Sequence, residues 1–238
     1  MINLKLINIS LLGESPSRST VSPESLKRLW WQTIHRNQQV RFSISALVRI
    51  KLADQYLLVR GNRVRKFQPV GGVLKFLPSA RNDLERCGMQ DDILYPPDEI
   101  NKDDLRVMIS GRRLCRFLGW YESGLGREQS PWREFWEELV RPGYLDGDLF
   151  PHAHFGFVRR HSNGIRWSNH ANCYECMIAE IFELHPNSNQ RAALESLRKS
   201  PPENLCWTTA EQIRSNGITP KEQTHANIAE HAEWILPR

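Results

Sequence analysis

Residues CYECMIAEIFEL, read as a strand over Tyr174–Leu184, restrict the possible folds more than any other part of this chain. Their run of apolar positions is the pattern of a strand buried on both faces in the middle of a sheet. A strand of that kind requires cover on both sides, which already excludes a small open hairpin protein.

The other strand signals come in hairpins and meanders. Alternation in VRFSISALVRI from Val40, then YLLV at Tyr56–Val59, predicts two strands joined by a polar turn at Asp54. FQPVGGVLKF, Phe67–Phe76, reads as strand, tight glycine turn, strand, and HFGFVRR with IRW around SNG as a second hairpin over His154–Trp167. Helices are expected from Ser22-Pro23-Glu24 to about Arg36, over Ser79–Cys87, over Arg112–Tyr121, from Ser188 to before Pro201, after Thr208 or Thr209, and over Thr224–Leu236. NLCWTT adds a short strand. Hairpins with interposed helices differ from the regular strand and helix alternation of a doubly wound sheet, so the expected class is α+β, a mixed sheet covered by helices.

At 238 residues, with 25% charged and 40% hydrophobic residues, the chain suits one large unit. We expect a strand, loop and helix over 1–39 and a main domain over 40–238, with an insertion at about 77–129. A net charge of +5 favours anionic ligands such as nucleotides without the continuous basic stripe of a dedicated nucleic-acid binder. Five cysteines and no secretory signal point to reduced thiols and a cytoplasmic protein. The apolar start MINLKLINISLL is shorter than the roughly 20 residues of a spanning helix, so no membrane span is expected.

The stretch SPWREFWEELVRPG, Ser130–Gly143, carries the chemistry. Ser130 as N-cap and Pro131 at the first position fix a helix, and about 100° per residue puts Trp132, Phe135, Trp136 and Leu139 on one apolar stripe. Glu134, Glu137 and Glu138 share the opposite arc, with Arg133 four residues before Glu137. Two readings compete: a solvated polar face, or a set of hard oxygen ligands whose mutual repulsion a divalent cation removes.

Arg133-Glu134-Phe135-Trp136-Glu137-Glu138 resembles the R-E-U-x-E-E core of the Nudix box, and Gly71-Gly72 resembles the glycine pair that opens it. The resemblance implies a mixed sheet sandwiched between helices, Mg²⁺ or Mn²⁺ as cofactor, and hydrolysis of nucleoside diphosphate derivatives. It implies metal ligation or water activation by Glu134, Glu137 and Glu138, and an orienting role for Arg133. Three departures stand out: the 77–129 insertion inside the box, Glu128 in place of the isolated glutamate but closer to Arg133, and Val140 where the box has its second glycine, with Pro142-Gly143 one step later. FQPVGGV, the segment DLRVMISGRRLCRFLGWYESGLGREQSPWREFWEELV and the tail HAEWIL are similar to the SMODS-associated Nudix domains, which accompany bacterial CD-NTases in antiphage systems and carry the long insertion as a rule. That implies a nucleotide processor or, alternatively, a nucleotide sensor with weak turnover.

Around this core, RGNRVRK at Arg60–Lys66 supplies Arg60 and Arg65 as phosphate clamps, or else a solvated turn. Gly71 and Gly72 permit close approach of a ligand to the main chain, or else form only a tight turn; Gln68 and Phe67 are candidates to contact a base and Trp167 to stack on it, against the alternative that the aromatics are core. A separate general base is left open among Glu128, Glu175 and Glu180. His170, Cys173 and Cys176 have zinc-like spacing, but positions three apart on a strand face opposite ways.

Overall fold

The computed structural model describes residues 23–61, 65–99, 101–218 and 226–237. The expected N-terminal strand and the centre of the Arg60–Lys66 turn lie outside them. A ten-stranded mixed sheet is organised around β1 (Gln39–Arg49). Along one edge, β1 pairs antiparallel with β4 (Phe67–Val73) through Ser45–Val48, and with β6 (Arg106–Ser110) through Gln39–Ser43. Its other edge is taken by β9 (Cys173–Leu184), parallel to it from Val40 to Arg49. Outside these lie β2 (Lys51–Leu52), β3 (Gln55–Arg60) and β10 (Leu205–Thr209) on the β4 side, β5 (Gln90–Asp91) beside β6, and β7 (Phe155–Ser162) and β8 (Arg166–Ser168) along β9. The buried central strand therefore has partners on both edges, as its composition demands.

Strand alternation separates two helical layers. On one face Ile44, Ala46 and Val48 meet α2 (Arg81–Arg86), α3 (Leu114–Ser123), the acidic helical segment and α5 (Ser188–Lys199), through Leu84, Phe117, Tyr121, Phe135, Leu139 and Leu194. On the other, Leu47, Tyr56, Leu58 and Ile181 meet α6 (Ala210–Arg214) and a 3₁₀ helix, Glu230–Ile235. The N-terminal α1 (Pro23–Ile34) reaches the first cluster through Trp31. Capping boxes at Asn187 with Gln190 and at Thr209 with Gln212 start α5 and α6.

Four expectations change. The 77–129 stretch has its two helices but also contributes β5 and β6, and β6 is one of β1's own partners. Val107, Met108 and Ile109 form an apolar run too short for periodicity to distinguish strand from helix. The stretch is thus part of the core: Ile109→Ala is expected to cost about 2–5 kcal/mol in urea unfolding, and a loss under about 0.5 kcal/mol would contradict that placement. Second, Gly71-Gly72 is no tight turn but lies inside continuous β4. Third, β7 and β8 do not form a hairpin; both pair with β9, end to end, β7 along Ile178–Leu184 and β8 along Cys173–Glu175. Asn163 fills the gap, its amide N–H donating to Met177 O at 3.2 Å and its Oδ1 accepting from Met177 N at 2.8 Å. Fourth, the last helix is the shorter 3₁₀ turn, and Thr224 lies outside the described residues.

Candidate carboxylate site

The site is built where the acidic segment crosses the glycine strand. Ser130 Oγ accepts from Trp132 N at 3.2 Å, and α4 runs over Trp132–Phe135 before widening into a π-helical turn, Trp136–Val140, closed by Arg141 N to Trp136 O at 2.8 Å. The 100° register therefore fails after Phe135. Phe135, Leu139 and Val140 are the buried residues, and Trp136, expected on the apolar stripe, is exposed. Val140, standing where the Nudix box has glycine, is accommodated because the wider turn swings it into the core beside Leu145 and Phe150. The chain then reverses over 141–143 with Gly143 at φ 81°, three residues after the position where the box has its glycine.

Glu134 and Glu138 are withdrawn from solvent, whereas the Glu137 side chain stays 41% exposed. A Cβ on Gly72 would lie 2.5 Å from the Glu134 carboxyl, so glycine makes room for it. Gly71, at φ 139°, donates its N–H to Glu138 Oε2 at 2.8 Å. Arg133 binds Glu128 through Nε and Nη2 at 2.7 and 2.9 Å, the Val73 carbonyl at 2.9 Å, Glu134 at 2.7 Å and Glu137 at 3.5 Å. Glu128 also accepts from Lys75 N at 2.9 Å, which ties the helix to the end of β4. Burial would lower the Arg133 pKa, but the Glu128 hydrogen bonds and the Glu134, Glu128 and Glu137 charges raise it above its ordinary value. Burial raises Glu134, against the opposing charge of Arg133. Glu138 is pushed up to about 8, by burial first, with Gly71 N–H opposing and the charges of Glu134 and Glu137 adding.

Glu137 and Glu138 line a cavity of about 460 Å³ whose lining also includes Arg60, Arg65, Tyr144 and Asn204. Arg60 pairs with Glu203 at 3.2 Å, a contact of little weight because Glu203 is 85% exposed, and among the described residues its buried Nε has no hydrogen-bond partner. Glu134 and the two glycines lie behind this cavity; Gln68 does not line it. Trp167 packs edge-on against Tyr174 on β9 and does not line this cavity. Of the three acids left open as general base, Glu128 is held by Arg133, Glu175 by Arg41 and Glu180 by Tyr121, Arg127 and Arg160. Tyr144 and Asn204 were not singled out in the sequence; nothing in their local pattern marks them, and they meet only because the turn after the π segment faces the start of β10.

A hard cation suits this chemistry, because the donors are carboxylate oxygens and Glu138 is poorly compensated in its charged form, with one N–H for a buried carboxylate. Among the described residues no three acidic, histidine or cysteine side chains already converge as a metal cluster, because Arg133 stands between Glu134 and Glu137. The zinc-like cysteines form no disulfide among the described residues, and Cys173 and Cys176 lie on opposite faces of β9.

A mixed sheet between helical layers, with a glutamate-rich helix seated on a glycine strand, defines a Nudix-type, hydrolase-like module. The model of the SMODS-associated NUDIX domain matches residues 39–236, and the chain belongs to that family. No curated protein and no solved structure gives a match to it. Among the described residues no helix is long and apolar enough to cross a membrane.

Proposed function

We propose that this protein is a metal-dependent pyrophosphohydrolase acting on a nucleoside diphosphate derivative or a nucleotide signal. The observation that carries the reading is one cavity lined by groups of both charges, Glu137 and Glu138 together with Arg60 and Arg65. Such a cleft receives a phosphate chain, because the arginines offer forked donors to the phosphate oxygens. Glu134, Glu137 and Glu138 would hold Mg²⁺ or Mn²⁺, which supplies charge neutralisation at the diphosphate and a more acidic bound water. Arg133 orients Glu134 and Glu137 and is itself fixed by Glu128. Gly71 N–H fixes one oxygen of Glu138 and leaves the other for the ion or for a proton. Membership in a SMODS-associated family supports a link to a CD-NTase and to antiphage defence, in the cytoplasm where thiols remain reduced.

Phosphate release from a panel of nucleoside diphosphate derivatives, with Mg²⁺ or Mn²⁺, tests this. Glu137→Gln and Glu138→Gln should each lower turnover by about 10²-fold or more. Tight nucleotide binding by the wild type with no turnover on any member would instead establish the second reading, a nucleotide sensor. That reading is favoured by one observation, that Arg133 already neutralises two of the three acids.

A further inference from the structure

Glu180 lies nine-tenths buried or more in the middle of the sheet, in a cluster that the site as described does not use. Gly72 pairs with Ala46 and Ala46 with Glu180, so Glu180 is in the same row as the glycine, about 10 Å away by strand spacing and on the same face. Its Oε1 accepts from Tyr121 Oη at 2.8 Å, Arg127 Nη2 at 2.9 Å and Arg160 Nη2 at 3.1 Å, and its Oε2 from Arg127 Nη1 at 3.3 Å. The Tyr121 ring lies between the two guanidinium groups, each 4.5 Å from its centroid.

Arg127 does more than neutralise Glu180. Its Nε donates to Tyr121 O at 2.9 Å and its Nη1 to Glu128 O at 2.8 Å, so one planar group grips the sheet, the end of α3 and the peptide that leaves Glu128. Glu128 is thereby held on both sides, its own N–H donating to Lys75 O at 2.9 Å, and its carboxylate holds Arg133. The chain of contacts therefore runs from β9 through Arg127 and Glu128 to Arg133, and from there to Glu134 and Glu137. We propose that Glu180 is a positioning residue for the carboxylate site, acting through Arg127 and Glu128 on Arg133; this rests on the reading of the site given above.

Stability alone is a poor reason for such a cluster, because a buried ion pair is often replaceable by apolar residues without loss. Apolar packing leaves the peptide after Glu128 loose, whereas the four hydrogen bonds made by Arg127, to Glu180, Tyr121 O and Glu128 O, fix it.

The test uses the full chain and the variants Glu180→Gln, Arg127→Lys and, as a control that keeps the ion pair, Tyr121→Phe. Two quantities are read: the Arg133 Nε–H resonance, assigned by its disappearance in Arg133→Lys, and the affinity for Mn²⁺ alone. Glu180→Gln and Arg127→Lys should speed exchange of the Arg133 Nε–H and weaken Mn²⁺ binding roughly tenfold, in the range for groups that orient a ligand from behind. Tyr121→Phe should leave both within about twofold of wild type. A Glu180→Gln protein with a lower Tm but an unchanged Arg133 resonance and Mn²⁺ affinity would reduce the cluster to a structural one and overturn the proposal. If Glu180→Gln does not fold, Arg127→Lys decides by the same two measurements. Should the wild type bind no Mn²⁺, the metal reading of the site fails by itself, and the Arg133 resonance still decides the positioning role.

Discussion

Gly71→Ala should unfold this protein or come close to it, with a loss of about 3–5 kcal/mol in urea denaturation. Gly71 sits at φ 139°, outside the range an L side chain adopts without strain. The added methyl would run into the Ala46 carbonyl oxygen and come within 2.9 Å of Leu47 Cα, both on β1, where no flexible group can yield. Gly72→Ala offers the contrast: its methyl meets the Glu134 carboxyl at 2.5 Å, the free end of a side chain, so the fold should survive while Glu134 is driven from its position beside Arg133. Urea midpoints for the pair, with soluble Gly72→Ala and severely destabilised Gly71→Ala, check the difference. Equal tolerance at both positions would mean that the strand does not follow the path described.

The pH dependence of stability should be set in large part by Glu138. Folded, its carboxyl is pushed up to about 8 by burial; its ordinary value is 4.5. The folded state therefore binds more protons than the unfolded one between these values, and unfolding free energy falls as pH rises through that window. The stabilising contribution is complete below 4.5 and is lost by about 8, a change on the order of 3–5 kcal/mol. Glu138→Gln keeps an acceptor for Gly71 N–H without a charge to bury, so its Tm should be nearly flat over this range and above wild type at the alkaline end. Added Mg²⁺ or Mn²⁺ should restore the wild type's alkaline stability and do little for the variant. A wild-type Tm that rises from pH 5 to 8 without metal would refute this account of Glu138.

These effects show why some features could be read from the sequence and others could not. The buried strand over Tyr174–Leu184 and the alternation from Val40 announced themselves, since burial on one or both faces leaves a direct record in residue pattern. Glu134, Glu137 and Glu138 were recognisable because the R-E-U-x-E-E core fixes their spacing, and proline fixes the start of the helix. Hidden from the sequence were the π turn, which depends on Val140 finding a place in the core, and the path of Gly71-Gly72, because glycine is common to turns and to close strand crossings alike. The role of Arg127 was equally hidden: its contacts are to Glu180, 53 positions later, and no local pattern predicts them.

The position of β1 also has a consequence for synthesis. One of its edges is filled by β4 and β6, both made soon after it, but its other edge waits for β9, with Val40 meeting Tyr174 at a separation of 134 residues. At the roughly 5–20 residues per second of translation, that hydrophobic edge stays unpaired for several seconds on the ribosome. During that interval the nascent chain presents an open template for wrong pairing, and chaperone dependence of the yield is the natural outcome.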